Sequence, residues 1–276
     1  SLNVLQGLPG YDILFVCGWP FRAGGTGLAD QLVTDHYMSI NSFVANGGIY
    51  IGLCGGSNLG CTHVNRSYCP PHPYPGAYNV TTEMNLFNGT GMSPLFEYEE
   101  EDFHCMVPVN IDRGSLGPYL SEMNSSYAIL YNFGPYFTTT NWTGVHVIGR
   151  YSVNNQPAII AVEKGRGCVV LCGPHPEWEE ESDRDAGGTW DNYHYDPDSE
   201  WDLMKAVVQW CVDTVDPLVT STETSTSSTS GTTSATSGTT SVSNATGQPM
   251  NLPLLLGVSG VGLVVVIALV TAYRRK

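Results

Sequence analysis

The sequence predicts an α/β domain over residues 1–215, a sheet with helices on both faces. Short, continuous apolar runs recur, among them Ile13 to Val16, Ile49 to Leu53 and Cys168 to Leu171, the pattern of strands buried on both sides. Stretches with helical spacing lie between or after them. Gly18, Cys54 and His175 each sit just past the end of such a run. In open α/β sheets, function gathers beyond the carboxyl ends of the strands, so these three converge on one crevice although they are distant in sequence.

Tyr11 to Cys17 reads as the first strand, and a loop rich in glycine (Gly24, Gly25, Gly27) follows. A helix is expected from about Leu28 to Ala45, with Leu32, Tyr37, Ile40, Phe43 and Val44 at helical spacing and Asn46-Gly47-Gly48 as its stop. Ile49 to Leu53 is the next strand. From Cys61 to Asp112 the chain is rich in Pro, Asn and Gly and reads as a surface elaboration with irregular strands. Strands are expected again at Tyr127 to Tyr131, Val145 to Tyr151, Pro157 to Glu163 and Gly167 to Leu171, the last two joined by a hairpin turn at 164–167. Trp201 to Val215 closes the domain as a helix that carries Leu203, Ala206, Val207, Trp210 and Cys211 on one face.

Beyond residue 215 the composition changes class. Residues 216–251 are mostly Ser, Thr, Gly and Ala, a disordered stalk suited to O-glycosylation. Residues 252–273 are uncharged and apolar, long enough to cross a bilayer, and Arg274, Arg275 and Lys276 follow at once. Basic residues mark the cytoplasmic side, so the expectation is a single-pass type I membrane protein with an extracellular or lumenal domain and a tail of residues 274–276. Six N-glycosylation sequons, at Asn65, Asn79, Asn88, Asn124, Asn141 and Asn244, agree with a secretory route. That route calls for a signal peptide. None is visible from Ser1, so the expectation is that a leader precedes it.

The net charge of −15 argues against nucleic acid and anionic lipid as partners. Much of the acid lies in Glu97-Tyr98-Glu99-Glu100-Glu101-Asp102 and between Glu177 and Asp202. Asp191, Asp196 and Asp198 are closely spaced oxygen donors, but they lack EF-hand-like spacing, and charge runs are usually solvated faces. His36, His63, His72, His104, His146 and His194 form no pair at metal-ligand spacing on a recognisable helix. No metal and no cofactor is assigned.

Gly52-Leu53-Cys54-Gly55-Gly56 has the form of a nucleophile elbow, a strand turning sharply into a helix with glycines permitting the turn. Gly173-Pro174-His175-Pro176-Glu177 supplies the partners a cysteine nucleophile requires. In an extended segment His175 and Glu177 point the same way, so Glu177 is placed to orient the imidazole. Gly18 and Gly55 are the candidate oxyanion-hole donors. Phe133 and Tyr136, after a strand end, are candidate pocket residues, with core packing as the alternative. Cys54 also has alternatives, as half of a disulfide or as an inert buried thiol. Eight cysteines permit four disulfides, and Cys61 with Cys69 is the favoured local bridge. Cys168 and Cys172 cannot pair within one strand, since four residues span about 13 Å.

At these residues the chain resembles the class I glutamine amidotransferase-like superfamily, and more narrowly the N-terminal module of eukaryotic biotin-protein ligases and its free-standing relatives. The resemblance rests on Tyr11 to Leu14 leading to Gly18, on Phe43 to Gly56, on Asn132 to Phe137 and on Gly173 to Glu177. It implies a flavodoxin-like glutaminase-type fold, with Cys54, His175 and Glu177 in triad positions and Gly18 and Gly55 near the oxyanion hole. Two departures stand out. Asn58 occupies the position where glutaminases carry Gln, which argues against glutamine as substrate. Trp19 stands where relatives have glycine, and it is expected to narrow the pocket. Relatives also begin with a strand and helix ahead of Tyr11, which this reading expects to precede Ser1. After Asp213 only stalk and span follow, so biotin transfer is not expected.

Two functions follow from this reading. One is a membrane-anchored, cysteine-dependent amide hydrolase or transferase acting on an unidentified small-molecule or peptide substrate. The other is a catalytically silent ectodomain for ligand binding or adhesion.

Overall fold

The structure is a computed structural model that describes residues 8, 12–18, 29, 32, 34–67, 77–177 and 199–215. Its centre is a seven-stranded sheet in the order β1 (Ile13–Val16), β2 (Ile49–Leu53), β11 (Gly167–Cys172), β10 (Pro157–Lys164), β9 (Val145–Tyr151), β6 (His104–Ile111) and β7 (Ser126–Asn132). β1, β2 and β11 are parallel, and every pairing from β11 to β7 is antiparallel. The α/β class is as expected, but the sheet is mixed. The short turn at 164–167 forces β10 back against β11, and only strands joined through longer connections run parallel.

All residues of β2 and β11 are buried, and successive side chains divide between two faces. Ile49, Ile51, Leu53, Cys168, Val170 and Cys172 pack with Leu203, Met204, Val207, Trp210 and Cys211 of the last helix, α3 (Trp201–Thr214). Tyr50, Val169 and Leu171 pack on the other face with Tyr37, Ile40, Phe43 and Val44 of α1 (Thr34–Ala45). α1 ends as its sequence predicts. Gly47 has φ 103°, and the N–H groups of Gly48 and Gly47 return to the carbonyls of Phe43 and Val44 at 2.9 and 3.0 Å, a Schellman closure.

Between Cys61 and Asp112 the chain is more regular than the expected elaboration. β3 (Cys61–Arg66), β4 (Tyr78–Thr81) and β5 (Phe87–Ser93) join β8 (Tyr136–Thr138) in a four-stranded sheet ordered β4-β3-β5-β8. Val64, Phe87 and Phe137 from this sheet pack into the cluster that holds α1. β6 continues the main sheet between β9 and β7. Both sets were hidden in sequence because Pro, Gly and Asn interrupt the alternation. Cys61 is a buried thiol donating to the Ser57 carbonyl at 3.3 Å, and Cys69, its expected partner, lies outside the described residues. Among the described residues no helix is long and apolar enough to cross a membrane. The predicted stalk, span and tail, together with Trp19, Asn244 and the aspartates at 191, 196 and 198, lie outside the described residues.

Candidate functional site

β2 ends at Leu53, and the chain reverses at Cys54 into the short helix α2 (Gly55–Gly60). Cys54 has φ 47° and ψ −108°, a conformation that L residues rarely adopt and that the surroundings must enforce. Its N–H donates to the Cys172 carbonyl at 2.8 Å, and its own carbonyl accepts from the Ser57 and Asn58 N–H groups at 3.1 Å. The flanking glycines are required sterically. A Cβ on Gly56 would strike the Val16 carbonyl, and one on Gly52 would lie within 2.5 to 2.7 Å of the Gly56 carbonyl group. The elbow therefore depends on β1 and β2 lying side by side as well as on its own glycines.

β11 delivers the second half. Beyond Cys172 the chain passes through Gly173, whose N–H is taken by the Ala158 carbonyl at 2.8 Å, to His175, whose N–H donates to the Leu130 carbonyl of β7 at 2.8 Å. β7 is the far edge of the main sheet, so the sheet curls until its last strand meets the end of β11. This brings a fourth strand end to the crevice. The Cys54 thiol donates to the Asn132 carbonyl at 3.5 Å.

His175 Nδ1 donates to Glu177 Oε1 at 2.8 Å, as the extended His-Pro-Glu spacing predicts. The imidazole is 9% exposed and the Glu177 side chain 27%, so the ring is sealed in while its carboxylate partner reaches the rim. Burial alone would lower the His175 pKa. The Glu177 charge and hydrogen bond, with the adjacent Cys54 sulfur, outweigh it and hold the ring well above its ordinary value of 6.5. The Cys54 thiol points at the Asn132 carbonyl, and the atom His175 Nε2 is buried with no donor or acceptor at full hydrogen-bonding geometry. The coupling of sulfur and ring is thus electrostatic proximity more than a formed hydrogen bond.

Gly18 closes the group. A Cβ there would strike His175 Cε1 and come within 3.1 Å of Cys54 Cβ, so only glycine fits between thiol and imidazole. Two further cysteines surround the pair. Burial and the Glu177 charge push the Cys17 thiol up to about 12 and the Cys172 thiol well above its ordinary value, so both stay protonated.

The structure brings Cys54, Gly18, Gly55, His175 and Glu177 together at the strand ends. Phe133 also lies there, with φ 55° and its ring 5.0 Å from that of Phe103, directly after the Asn132 carbonyl that accepts the Cys54 thiol. Tyr136 is half-buried on β8, its hydroxyl pKa raised by burial and by Glu97. Asn58 lies on α2, its N–H donating to the Cys54 carbonyl at 3.1 Å. Its amide oxygen is buried without a partner against Gly91 of β5. Among the described sequons, Asn79, Asn88, Asn124 and Asn141 are exposed and Asn65 is half-buried. Among the described residues no three His, Cys, Asp or Glu side chains gather as a metal site.

Sequence reading missed the β7 carbonyls of Leu130 and Asn132, and it missed Arg66. The Arg66 guanidinium lies 5.0 Å over the Phe133 ring, a cation on an aromatic face at the crevice. Backbone acceptors carry no residue signature. Arg66 appeared only as the middle of a sequon, and no local pattern ties β3 to the end of β7.

Over 154 residues the chain is 33% identical to a biotin-protein ligase of Schizosaccharomyces pombe, covering 52% of this chain and 23% of the ligase. Over 143 residues it is 31% identical to an uncharacterized protein of Chlamydia muridarum, covering 50% of this chain and 51% of that protein. The chain thus spans about a quarter and about half of these relatives. Among solved structures, a putative GMP synthase subunit from Thermoplasma acidophilum aligns with a TM-score of 0.40 at 11% identity, covering 76% of this chain and 77% of that one. The family model described as "Biotin-protein ligase, N terminal" matches residues 23–208, more than half of the 276 residues, and the chain therefore belongs to the biotin-protein ligase N-terminal family.

Proposed function

We propose that this domain is a cysteine-dependent amide hydrolase or transferase built on a glutaminase-type core, with Cys54 as nucleophile, His175 as acid and base and Glu177 as the group that orients and charges the imidazole. The observation that carries this reading is the combination at one point of a strained elbow cysteine, a buried imidazole bonded to a carboxylate at 2.8 Å and a glycine that fits between them. A structural cysteine needs none of these. In the proposed reaction the thiolate sulfur attacks a carbonyl carbon, and the imidazolium gives its proton to the departing amine. Water then attacks the thioester, with His175 taking its proton and returning one to sulfur. The N–H groups of Gly18 and Gly55 would face the developing oxyanion. Phe133 and Tyr136 would line the pocket, and the substrate is a small molecule or peptide.

The same proposal places the domain outside the cytosol, held by residues 252–273 behind a stalk of residues 216–251. The apolar span with its basic tail supports this, as do the exposed positions of Asn79, Asn88, Asn124 and Asn141. Thiol labelling with iodoacetamide from pH 5 to 9, read by peptide mass spectrometry, tests the site: fast labelling of Cys54 at pH 6 supports it. A Cys54 that labels no faster than a free cysteine leaves the silent binding domain as the better account. Glycosidase shifts and resistance to carbonate extraction from membranes test the placement.

A further inference from the structure

Cys168 lies on β11, the strand that leads to His175, and Cys211 lies on α3, the helix that covers this face of the sheet. Both are fully buried, and their sulfurs are 2.8 Å apart, closer than two unbonded sulfurs rest. Other thiols of the domain behave differently. Cys54, Cys61 and Cys172 each give their proton to a backbone carbonyl, at 3.5, 3.3 and 3.3 Å. Cys168 and Cys211 instead take each other as partner. The surroundings do not suit a metal or a reactive thiol, because the pair is fully buried in the apolar cluster that also holds Ile49, Val170, Leu203 and Val207, and it lies in no cluster of three ligands among the described residues.

We propose that Cys168 and Cys211 are joined by a disulfide that fastens α3 to the central strand. The pair are 43 residues apart in sequence, and the loop between them carries His175 and Glu177, so the bond would hold both ends of the segment that completes the site. Formation follows ordinary exchange. One thiolate attacks a disulfide oxidant such as glutathione disulfide, releasing one thiolate product. The second thiolate attacks the mixed disulfide and releases the other. The two cysteines lose two electrons and two protons, and the oxidant leaves as two thiols. Both sulfurs are inaccessible in the folded domain, so the bond forms before α3 is fully seated and is afterwards shielded from reductants. The inference does not depend on Cys54 being a nucleophile.

The test is a peptide map of the full chain made through a eukaryotic secretory pathway, alkylated in denaturant without reduction. A linked pair of peptides containing Cys168 and Cys211, lost on reduction, is the expected result. Alkylation of both as free thiols, or linkage of either to another cysteine, overturns the proposal. The bond should raise Tm by about 10 °C over the C168A/C211A variant, given a closed loop of this length in a domain of this size. That difference should shrink when the wild-type chain is refolded in reductant. A difference unchanged by reduction would mean that packing alone holds the helix, and would overturn the fastening role.

Discussion

Glu177→Gln preserves the size of the side chain and removes the charge that faces His175 Nδ1 across 2.8 Å. The imidazole is buried, and burial works against its charged form, so the ring stays protonated because Glu177 and Cys54 outweigh desolvation. With Glu177 neutral, the larger of the two charge effects is lost and burial remains. A charge-assisted hydrogen bond of this kind contributes about 1.5 to 3 kcal/mol. Since about 1.4 kcal/mol is a factor of ten in rate, capture of Cys54 should slow roughly 10- to 100-fold. The assay is the rate of iodoacetamide capture of Cys54 in the full chain between pH 5 and 9, with circular dichroism to confirm that the variant is folded. Expected is a loss of reactivity at pH 6 of that order, with the rate recovering as pH rises. Glu177→Asp should recover part of it, because the charge is kept at a longer reach. A folded Glu177→Gln variant that labels at the wild-type rate with an unchanged pH profile would refute the idea that this carboxylate charges the site.

Other outcomes follow from the same geometry. Cys54→Ser should abolish any measured hydrolysis with Tm little changed, and retained activity would rule out the nucleophile assignment. Because the folded pKa of His175 is raised above 6.5, the stability it contributes is complete below about pH 6.5 and is lost as pH rises through the folded value. The urea midpoint should therefore decline on the alkaline side of 6.5, and His175→Ala should flatten that decline. Tyr131→Phe removes the hydroxyl that accepts the buried Leu95 N–H at 2.8 Å, and the stranded donor should cost about 1 to 3 kcal/mol in denaturant unfolding. Gly173→Ala would drive a methyl into the Pro135 carbonyl and the Tyr151 hydroxyl, so a drop in Tm with loss of Cys54 reactivity is expected, whereas a wild-type Tm would contradict the packing described.

The features legible in the sequence are local ones. The buried strands at Ile49 to Leu53 and Cys168 to Leu171 could be read because a strand covered on both faces is apolar without interruption, and α1 because its core residues recur at helical spacing before a glycine stop. Elbow glycines and the His-Pro-Glu spacing are likewise short-range constraints, and each reappears as a steric or hydrogen-bonded contact. The remainder is a property of long-range packing. The second sheet and β6 could not be read because Pro, Gly and Asn break the alternation along them, and strand order is set by pairing between segments far apart. Asn58 follows Cys54 by four residues, and a turn of helix sets its amide oxygen against Gly91 of β5, a contact between segments far apart in sequence. The arrival of Asn132 and Arg66 at the crevice, and of Cys211 beside Cys168, depends on how far a curled sheet turns and where a helix docks on it. Those are sums of many packing contacts across the whole domain, and no window of sequence contains them.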